Sequence, residues 1–153
     1  MKARMTIPAS IMSEAQTGIQ HIFKGIYKGK ADQKLLELVH LRASQINGCS
    51  ACVYAGNVSA RKAGETDERL FQLAAWREAP FFSDAERVAL QLTEVATRLA
   101  DRSGAAVSDE LWDEVADHFD EEQLASIILM IAITNLFNRI NAVIEEPAGT
   151  LWD

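Results

Sequence analysis

The sequence is poor in residues that break helices: only three of its 153 residues are proline and eight are glycine. It also lacks a sustained alternation of apolar and polar residues, the pattern that predicts a half-buried β-strand. Apolar residues make up 48% of the chain, which is enough for a core without disulfide or metal staples. The sequence therefore predicts a single all-α domain over residues 1–153.

Basic charge is also scarce, because 15 lysines and arginines face 22 acidic residues and leave a net charge of −7. This balance disfavours a surface for nucleic acid or anionic membranes. The N-terminus, MKARMTIPAS, lacks the apolar segment of a signal peptide. The longest apolar stretch, Leu124 to Phe137, is interrupted by polar residues and is too short to span a bilayer. We therefore expect a cytoplasmic protein that binds neither nucleic acid nor membrane.

Capping and turn residues divide the chain into about seven predicted helices. They cover Ser13–Lys28, Asp32–Ile46, Cys49–Ala63, Asp67–Arg77, Ser83–Asp101, Ser108–Phe119 and a last helix from Asp120 through IILMIAITNLFNRINAVI. The connections between them are short, so the sequence contains no linker between domains.

The last predicted helix is apolar nearly all round from Ile127 to Ile133. A chain of this size can hardly cover such a helix alone, which indicates a homo-oligomer with this helix at the subunit interface. The alternative is a central helix wrapped by the other six. Asn135, Asn138 and Asn141 form a polar stripe on this helix, interpreted as hydrogen bonding between helices or subunits.

The only two cysteines, Cys49 and Cys52, lie in the segment QINGCSACVYAGN. At this spacing they share one face of the first turn of the third predicted helix, close enough to form a disulfide. Free backbone N–H groups and the helix dipole stabilise a thiolate there, and a thiolate attacks peroxides and disulfides. This favours a redox pair over two small buried hydrophobic residues. Zinc is the weakest alternative because no second ligand pair is present, so we expect no metal or other cofactor.

A dithiol that reduces hydroperoxides needs groups that take up and deliver protons. Glu37, His40 and Ser44 fall within a stripe of about 60° on the second predicted helix, opposite most of its leucines. This stripe either lines a cleft that faces the cysteines or faces solvent. Spacing alone favours solvent.

Two segments resemble the AhpD-like branch of the carboxymuconolactone decarboxylase superfamily. They are ELVHLRASQINGCSACVYAGNVSARKAGETDERLFQLAAWREAPFFSDAERVAL, residues 37–90, and HFDEEQLASIILMIAITNLFNRIN, residues 118–141. The family pattern has a glutamate twelve residues before the first cysteine of C-x-x-C and a histidine four residues after the second. The resemblance implies an all-helical trimer or hexamer that reduces alkyl hydroperoxides, with electrons from a partner such as a lipoyl-bearing protein.

On the matching positions, the resemblance implies that Glu37 is the proton-relay glutamate, Cys52 the attacking thiol and Cys49 the resolving thiol. The helix dipole alone favours Cys49 as the more acidic thiol, so the order of attack stays open. The sequence departs from the pattern at Gly56, where the relay histidine should stand. His40 shares a helix stripe with Glu37 and is the candidate substitute relay, the alternative being a surface or structural role.

These residues predict a thiol-dependent oxidoreductase of the alkyl hydroperoxidase type, weakened by the loss of its relay histidine. Decarboxylation of a lactone is disfavoured, because enzymes of that branch lack the cysteine pair and also use histidine. The alternative is a non-enzymatic, oligomeric protein that binds a ligand or senses redox state. In that case Gly56 would open space over Cys52 for the ligand.

Overall fold

Eight α-helices make up the fold in the computed structural model, which describes residues 2–100 and 103–149. They are α1 Pro8–Ile11, α2 Ser13–Ile26, α3 Gln33–Asn47, α4 Ser50–Lys62, α5 Asp67–Gln72, α6 Asp84–Thr97, α7 Asp109–His118 and α8 Glu121–Ile144. A 3₁₀ turn, Leu73–Ala75, continues α5. No β-strand occurs within these described residues, so the predicted all-α class is confirmed.

The structure departs from the predicted helices chiefly in three places. The helix predicted over Asp67–Arg77 is α-helical only to Gln72, beyond which the chain tightens into the 3₁₀ turn. The first helix, α1, is not predicted, because its four residues are too few to show helical periodicity. The helix predicted to reach Asp101 ends at Thr97, where Arg98 leaves helical geometry with φ −93° and ψ 56°. Asp101 itself lies outside the described residues.

Side-chain caps explain where most helices begin. Ser83 and Asp120 each accept a hydrogen bond from the third residue of the helix, whose own side chain bonds back in a capping box. Asp32 caps α3, and its carboxylate accepts hydrogen bonds from the backbone N–H groups of Lys34 and Leu35. At the other end of α3, Gly48 adopts a left-handed conformation with φ 66°, which turns the chain directly into α4.

Helix α3 lies at the centre of the fold and is buried on two faces. Leu36 and Val39 pack in a cluster with residues of α2, α6, α7 and α8. Leu38 and Leu41 pack in a second cluster with residues of α4, α5 and α6. Little of α3 is therefore left for solvent, and polar side chains on it are enclosed by neighbouring helices.

The end of α2 and the start of α8 approach each other closely. The Ser126 hydroxyl donates a hydrogen bond of 2.8 Å to the carbonyl oxygen of Ile26. A Cβ atom placed on Gly29 would lie 1.9 Å from that hydroxyl and 2.6 Å from the carbonyl oxygen of Glu122. Glycine is thus required at position 29 for this packing.

Helix α8 has 24 residues, more than the apolar stretch noted in the sequence, and by length and composition it could cross a membrane. Half of its most apolar 18-residue window is buried inside the fold, chiefly against α3 and α2. Its outer face exposes Ile128, Leu129, Leu136 and Val143. The predicted interface on this helix stays a prediction.

A buried carboxylate, Glu94 on α6, joins α6 to α3. It accepts hydrogen bonds from the indole N–H of Trp76 at 2.9 Å and from the guanidinium groups of Arg42 and Arg77 at 2.8 Å each. Burial alone would raise the pKa of Glu94, but these hydrogen bonds outweigh it and lower the pKa to about 2. The network thus ties α6 to α3 and to the segment that follows the 3₁₀ turn.

Candidate active site

Cys49 and Cys52 form a disulfide at the start of α4, with their Cα atoms 5.3 Å apart. Cys49 is the N-cap residue, and its sulfur accepts a hydrogen bond of 3.3 Å from the backbone N–H of Cys52. The N–H of Cys49 donates to the carbonyl oxygen of Ser44, one turn back in α3, at 3.1 Å. The predicted pairing at a helix N-terminus is therefore confirmed, and the turn at Gly48 positions it.

The asparagine stripe of α8 provides hydrogen bonds between helices, as predicted. The amide of Asn138 donates to the Ser44 hydroxyl at 3.1 Å and accepts from the Asn47 amide at 2.8 Å. Asn141, which is also buried, donates to the sulfur of Cys52 at 3.2 Å. The sequence does not predict this contact with the dithiol; the helical spacing of Asn141 from Asn138 puts the two on one face but does not show what they meet.

Glu37 is almost fully buried, with 2% of its surface exposed. Its carboxylate accepts a hydrogen bond of 2.8 Å from the hydroxyl of Ser59 on α4. Burial raises the pKa of Glu37, and the Ser59 hydrogen bond only partly opposes this, so its pKa lies above the ordinary value. Sequence reasoning missed Ser59, although it follows Cys52 by seven residues and thus shares its helix face.

His40 packs against α4 beside the dithiol. Its ring donates a hydrogen bond to the backbone carbonyl of Cys52, while burial lowers its pKa to about 4, so the imidazole is neutral at pH 7. A Cβ atom on Gly56 would lie 3.4 Å from Cδ2 and 3.5 Å from Nε2 of His40. Because a side chain at position 56 would cover the carbonyl one turn earlier, glycine there gives His40 access to Cys52.

Two expectations from the sequence are therefore wrong. The stripe of Glu37, His40 and Ser44 does not face solvent, because α4 and α8 cover α3 on the side where it lies. Gly56 does not open space for a ligand over Cys52. The space is filled by His40 and by the Leu41 side chain, whose Cδ1 atom lies 3.3 Å from where a Cβ atom of residue 56 would be. Spacing along one helix cannot show which neighbours cover it.

A cavity of about 550 Å³ adjoins the dithiol. Glu37, His40, Cys52 and Ser59 form one part of its wall, whereas Cys49 does not contribute to it. Apolar side chains from the N-terminal segment, α2, α4 and α8 form much of the rest: Ile7, Ile19, Phe23, Val58 and Phe137. This size and combination are typical of a site for a small organic molecule. Ser44 is bonded elsewhere and lies outside the wall.

The side chains of the site suit thiol chemistry rather than metal binding. Within residues 2–100 and 103–149, no three histidine, cysteine, aspartate or glutamate side chains come together in a way that could hold a metal ion. The groups that the structure does bring together are a dithiol, a buried carboxyl group of raised pKa and a neutral imidazole. This set can transfer electrons between thiols and a small substrate and move protons beside them.

The model of the carboxymuconolactone decarboxylase family matches residues 13–95, which include the dithiol, Glu37 and His40. The chain belongs to this family. It is 40% identical over 114 residues to the uncharacterized protein YdfG of Bacillus subtilis (strain 168), covering 74% of this chain and 76% of YdfG. The membership expected from the cysteine motif is thereby confirmed.

Solved structures show the same fold in proteins with different descriptions. A protein of unknown function from Agrobacterium tumefaciens, provisionally assigned as the antioxidant defence protein AhpD, superposes with a TM-score of 0.86 at 25% identity over 98% of this chain and all of its own. The debrominase Bmp8, in its apo form, gives a TM-score of 0.77 at 23% identity over 90% of this chain and 73% of its own. The first supports the AhpD-like branch, and the second shares the fold.

Proposed function

We propose that this protein is a thiol peroxidase that reduces organic hydroperoxides through Cys49 and Cys52. The observation that carries the proposal is the position of Cys52. It lies in the first turn of α4 and also lines a cavity whose wall includes Glu37 and His40. Membership of the AhpD-like branch supports the same activity. The debrominase on this fold is a reminder that the fold alone does not fix the substrate.

Cys52 is the proposed attacking thiol. It lines the cavity, and its sulfur accepts a hydrogen bond from the amide of Asn141. This hydrogen bond stabilises a thiolate more strongly than it stabilises the sulfur of a disulfide. The thiolate attacks the outer oxygen of the hydroperoxide; an S–O bond forms, the O–O bond breaks and one proton is taken up, giving an alcohol and a sulfenic acid on Cys52. The thiol of Cys49 then attacks this sulfur, forming the disulfide and releasing water.

A dithiol reductant closes the cycle by exchanging with the disulfide. A lipoyl-bearing protein is the proposed donor, because dihydrolipoyl groups supply two electrons and two protons in one exchange. Both cysteines are nearly buried, at 4% and 1% exposure, so a donor has to be slender enough to enter the cavity beside Cys52. A lipoyl arm meets this requirement better than a thiol fixed on a protein surface.

Proton transfer is assigned to Glu37, with His40 beside it. A carboxyl group of raised pKa holds its proton longer than usual and can deliver it to the leaving alkoxide. His40 stands next to Cys52 but, with a pKa of about 4, takes a proton from an ordinary thiol of pKa about 8.5 poorly. A thiolate at Cys52 favours the protonated imidazolium of His40, which partly offsets its low pKa. We therefore expect turnover that is slow for a peroxidase.

The test is steady-state reduction of cumene hydroperoxide with dihydrolipoamide. Wild type should turn over repeatedly, and Cys52→Ala and Cys49→Ala should be inactive. Glu37→Gln and His40→Ala should each lose about 100-fold in kcat/KM, the low end of acid–base effects. His21→Ala, on the exposed surface of α2, is the matched control for His40. Oxidation of the dithiol once per chain, without repeated consumption of hydroperoxide, would support redox sensing instead.

A homo-oligomer is proposed on separate grounds. Ile128, Leu129, Leu136 and Val143 are exposed apolar side chains on one side of α8, and apolar surface of this kind is often covered in a stable protein. A trimer or hexamer is the expected assembly. Light scattering after gel filtration should give three or six chains for wild type, and Leu129→Glu with Leu136→Glu should release monomers; a monomeric wild type would contradict the proposal.

A further inference from the structure

The buried amide of Asn141 on α8 is only partly satisfied in the oxidised protein. Its Nδ2 atom donates a hydrogen bond of 3.2 Å to the sulfur of Cys52. Its Oδ1 atom is buried and has no hydrogen-bond partner among the described residues. A buried acceptor without a partner is rare and destabilising, so its place beside a reactive sulfur requires an explanation.

The neighbouring asparagine on the same face of α8 shows the usual arrangement. Asn138 donates to the Ser44 hydroxyl at 3.1 Å and accepts from the Asn47 amide at 2.8 Å, so both ends of its side chain are bonded. Neither partner changes chemically when the cysteines are oxidised or reduced. Within the described part of the chain, the side chain of Asn141 bonds only to the sulfur of Cys52, and that sulfur does change.

The disulfide is the state in which the Asn141 amide is bonded least well. A disulfide sulfur carries no proton to donate and is a weak acceptor. When a dithiol reductant supplies two electrons and two protons, the S–S bond breaks, Cys49 and Cys52 become thiols, and the reductant becomes a disulfide. The Cys52 sulfur then offers either a thiol proton or a negative charge.

The amide of Asn141 suits both forms of the reduced sulfur. Its Oδ1 and Nδ2 atoms are bonded to one carbon, so both lie near Cys52. A thiol can donate its proton to Oδ1, and a thiolate accepts a stronger, charge-assisted hydrogen bond from Nδ2. Because Oδ1 is enclosed by the protein, the donor that it lacks has to come from a neighbouring side chain, and the reduced cysteine is one that gains a proton.

We propose that Asn141 is a positioning residue that favours the reduced dithiol over the disulfide and thereby raises the reduction potential of the Cys49–Cys52 pair. A disulfide that is easier to reduce is regenerated more readily by a dihydrolipoyl donor. The inference rests on the proposed peroxidase function for its part in the catalytic cycle. The potential itself is a property of the protein and the dithiol reductant alone, without hydroperoxide.

The experiment measures the redox equilibrium of the full chain in mixtures of lipoamide and dihydrolipoamide. The reduced fraction is determined by mass after the free thiols are alkylated. Asn141→Leu, which has a similar size and no polar atoms, should shift the equilibrium towards the disulfide by about 3- to 10-fold, the effect of one hydrogen bond, which corresponds to a potential lower by about 15 to 30 mV. Asn141→Ala, which inserts no new group, should shift it in the same direction.

The matched control is Asn138→Leu, a buried asparagine that is bonded to Ser44 and Asn47 rather than to sulfur. It should unfold at a lower temperature than wild type and leave the redox equilibrium unchanged. Thermal unfolding gives a second measurement on Asn141→Leu. The unfolding temperature of its reduced form should fall by more than that of its oxidised form, because the hydrogen bonds that it loses are stronger in the reduced state.

Each outcome separates the two proposals. An equilibrium that is unchanged in both Asn141 variants, or shifted equally in Asn138→Leu, overturns the role of Asn141 and leaves the peroxidase function standing. Equal losses of unfolding temperature in the two redox states also overturn it, since the amide would then be structural. A potential that depends on Asn141, in a protein that turns over no hydroperoxide, overturns the peroxidase function and retains the role of Asn141.

Discussion

Replacing Gly56 by histidine, the residue that the family pattern has at this position, should fail unless His40 is removed at the same time. The Cβ atom alone would lie 3.3 Å from Cδ1 of Leu41 and 3.4 Å from Cδ2 of His40, and the imidazole would extend further. Overpacking of this kind costs about 1–3 kcal/mol. The gain from replacing glycine inside a helix is smaller, at roughly 0.5 kcal/mol for histidine.

The double variant Gly56→His with His40→Ala removes the obstructing ring. Its loss of unfolding free energy should be smaller than the sum of the losses in the two single variants by about 1 kcal/mol or more, because residues in contact do not behave additively. It should also reduce cumene hydroperoxide faster than either single variant, since a histidine is restored one turn after Cys52. Urea unfolding and the dihydrolipoamide assay measure these quantities.

Gly56→Ala is the matched control, because it adds only the Cβ atom and should change stability by less than about 1 kcal/mol. Effects of the two single substitutions that add to within about 0.5 kcal/mol would refute the reasoning. They would mean that positions 40 and 56 are independent and that glycine at 56 has no part in placing His40.

The packing at Gly29 and the two buried acids lead to three further predictions. Gly29→Ala should lose about 1–3 kcal/mol of unfolding free energy because its Cβ would overlap Ser126; Gly25→Ala, with open space around it, should be neutral or stabilising, and equal effects would contradict the packing. For Glu94, the pKa of about 2 lies below the ordinary value of 4.5, so about 3 kcal/mol of unfolding free energy should be lost as pH falls from 4.5 towards 2. In thermal unfolding, Glu94→Gln should show a weaker dependence of stability on pH over this range. For Glu37, whose pKa is raised, the stability of wild type should decline as pH rises above about 4.5. The unfolding temperature of Glu37→Gln relative to wild type should therefore rise with pH over that range. A difference in unfolding temperature that does not change with pH would contradict this.

The helices could be predicted because their ends are determined by nearby residues. The capping boxes begun by Ser83 and Asp120 and the turn at Gly48 involve contacts within a few residues, so the sequence contains all of their partners. The same holds for the dithiol, since Cys49 and Cys52 are joined within one helical turn. Helix α1 escapes prediction because it is too short for its periodicity to be seen.

The surroundings of the dithiol depend on packing between distant segments and could not be predicted. Periodicity places Glu37 and His40 on one stripe of α3, but the burial of that stripe depends on how α4 and α8 cross α3. The contact of Gly56 with His40 joins positions 16 residues apart. The unbonded Oδ1 atom of Asn141 is an absence of partners within the described part of the folded chain, and no sequence pattern distinguishes Asn141 from Asn138.

The cavity draws on more of the chain than the dithiol does. The family model spans residues 13–95, which include both cysteines, but the cavity wall also includes Ile7 before that range and Thr134 and Phe137 after it. The dithiol and part of the cavity wall are thus encoded in different stretches of the gene. A substitution in either outer stretch would alter the cavity wall and leave the C-x-x-C segment untouched, so proteins that share this dithiol need not share a ligand.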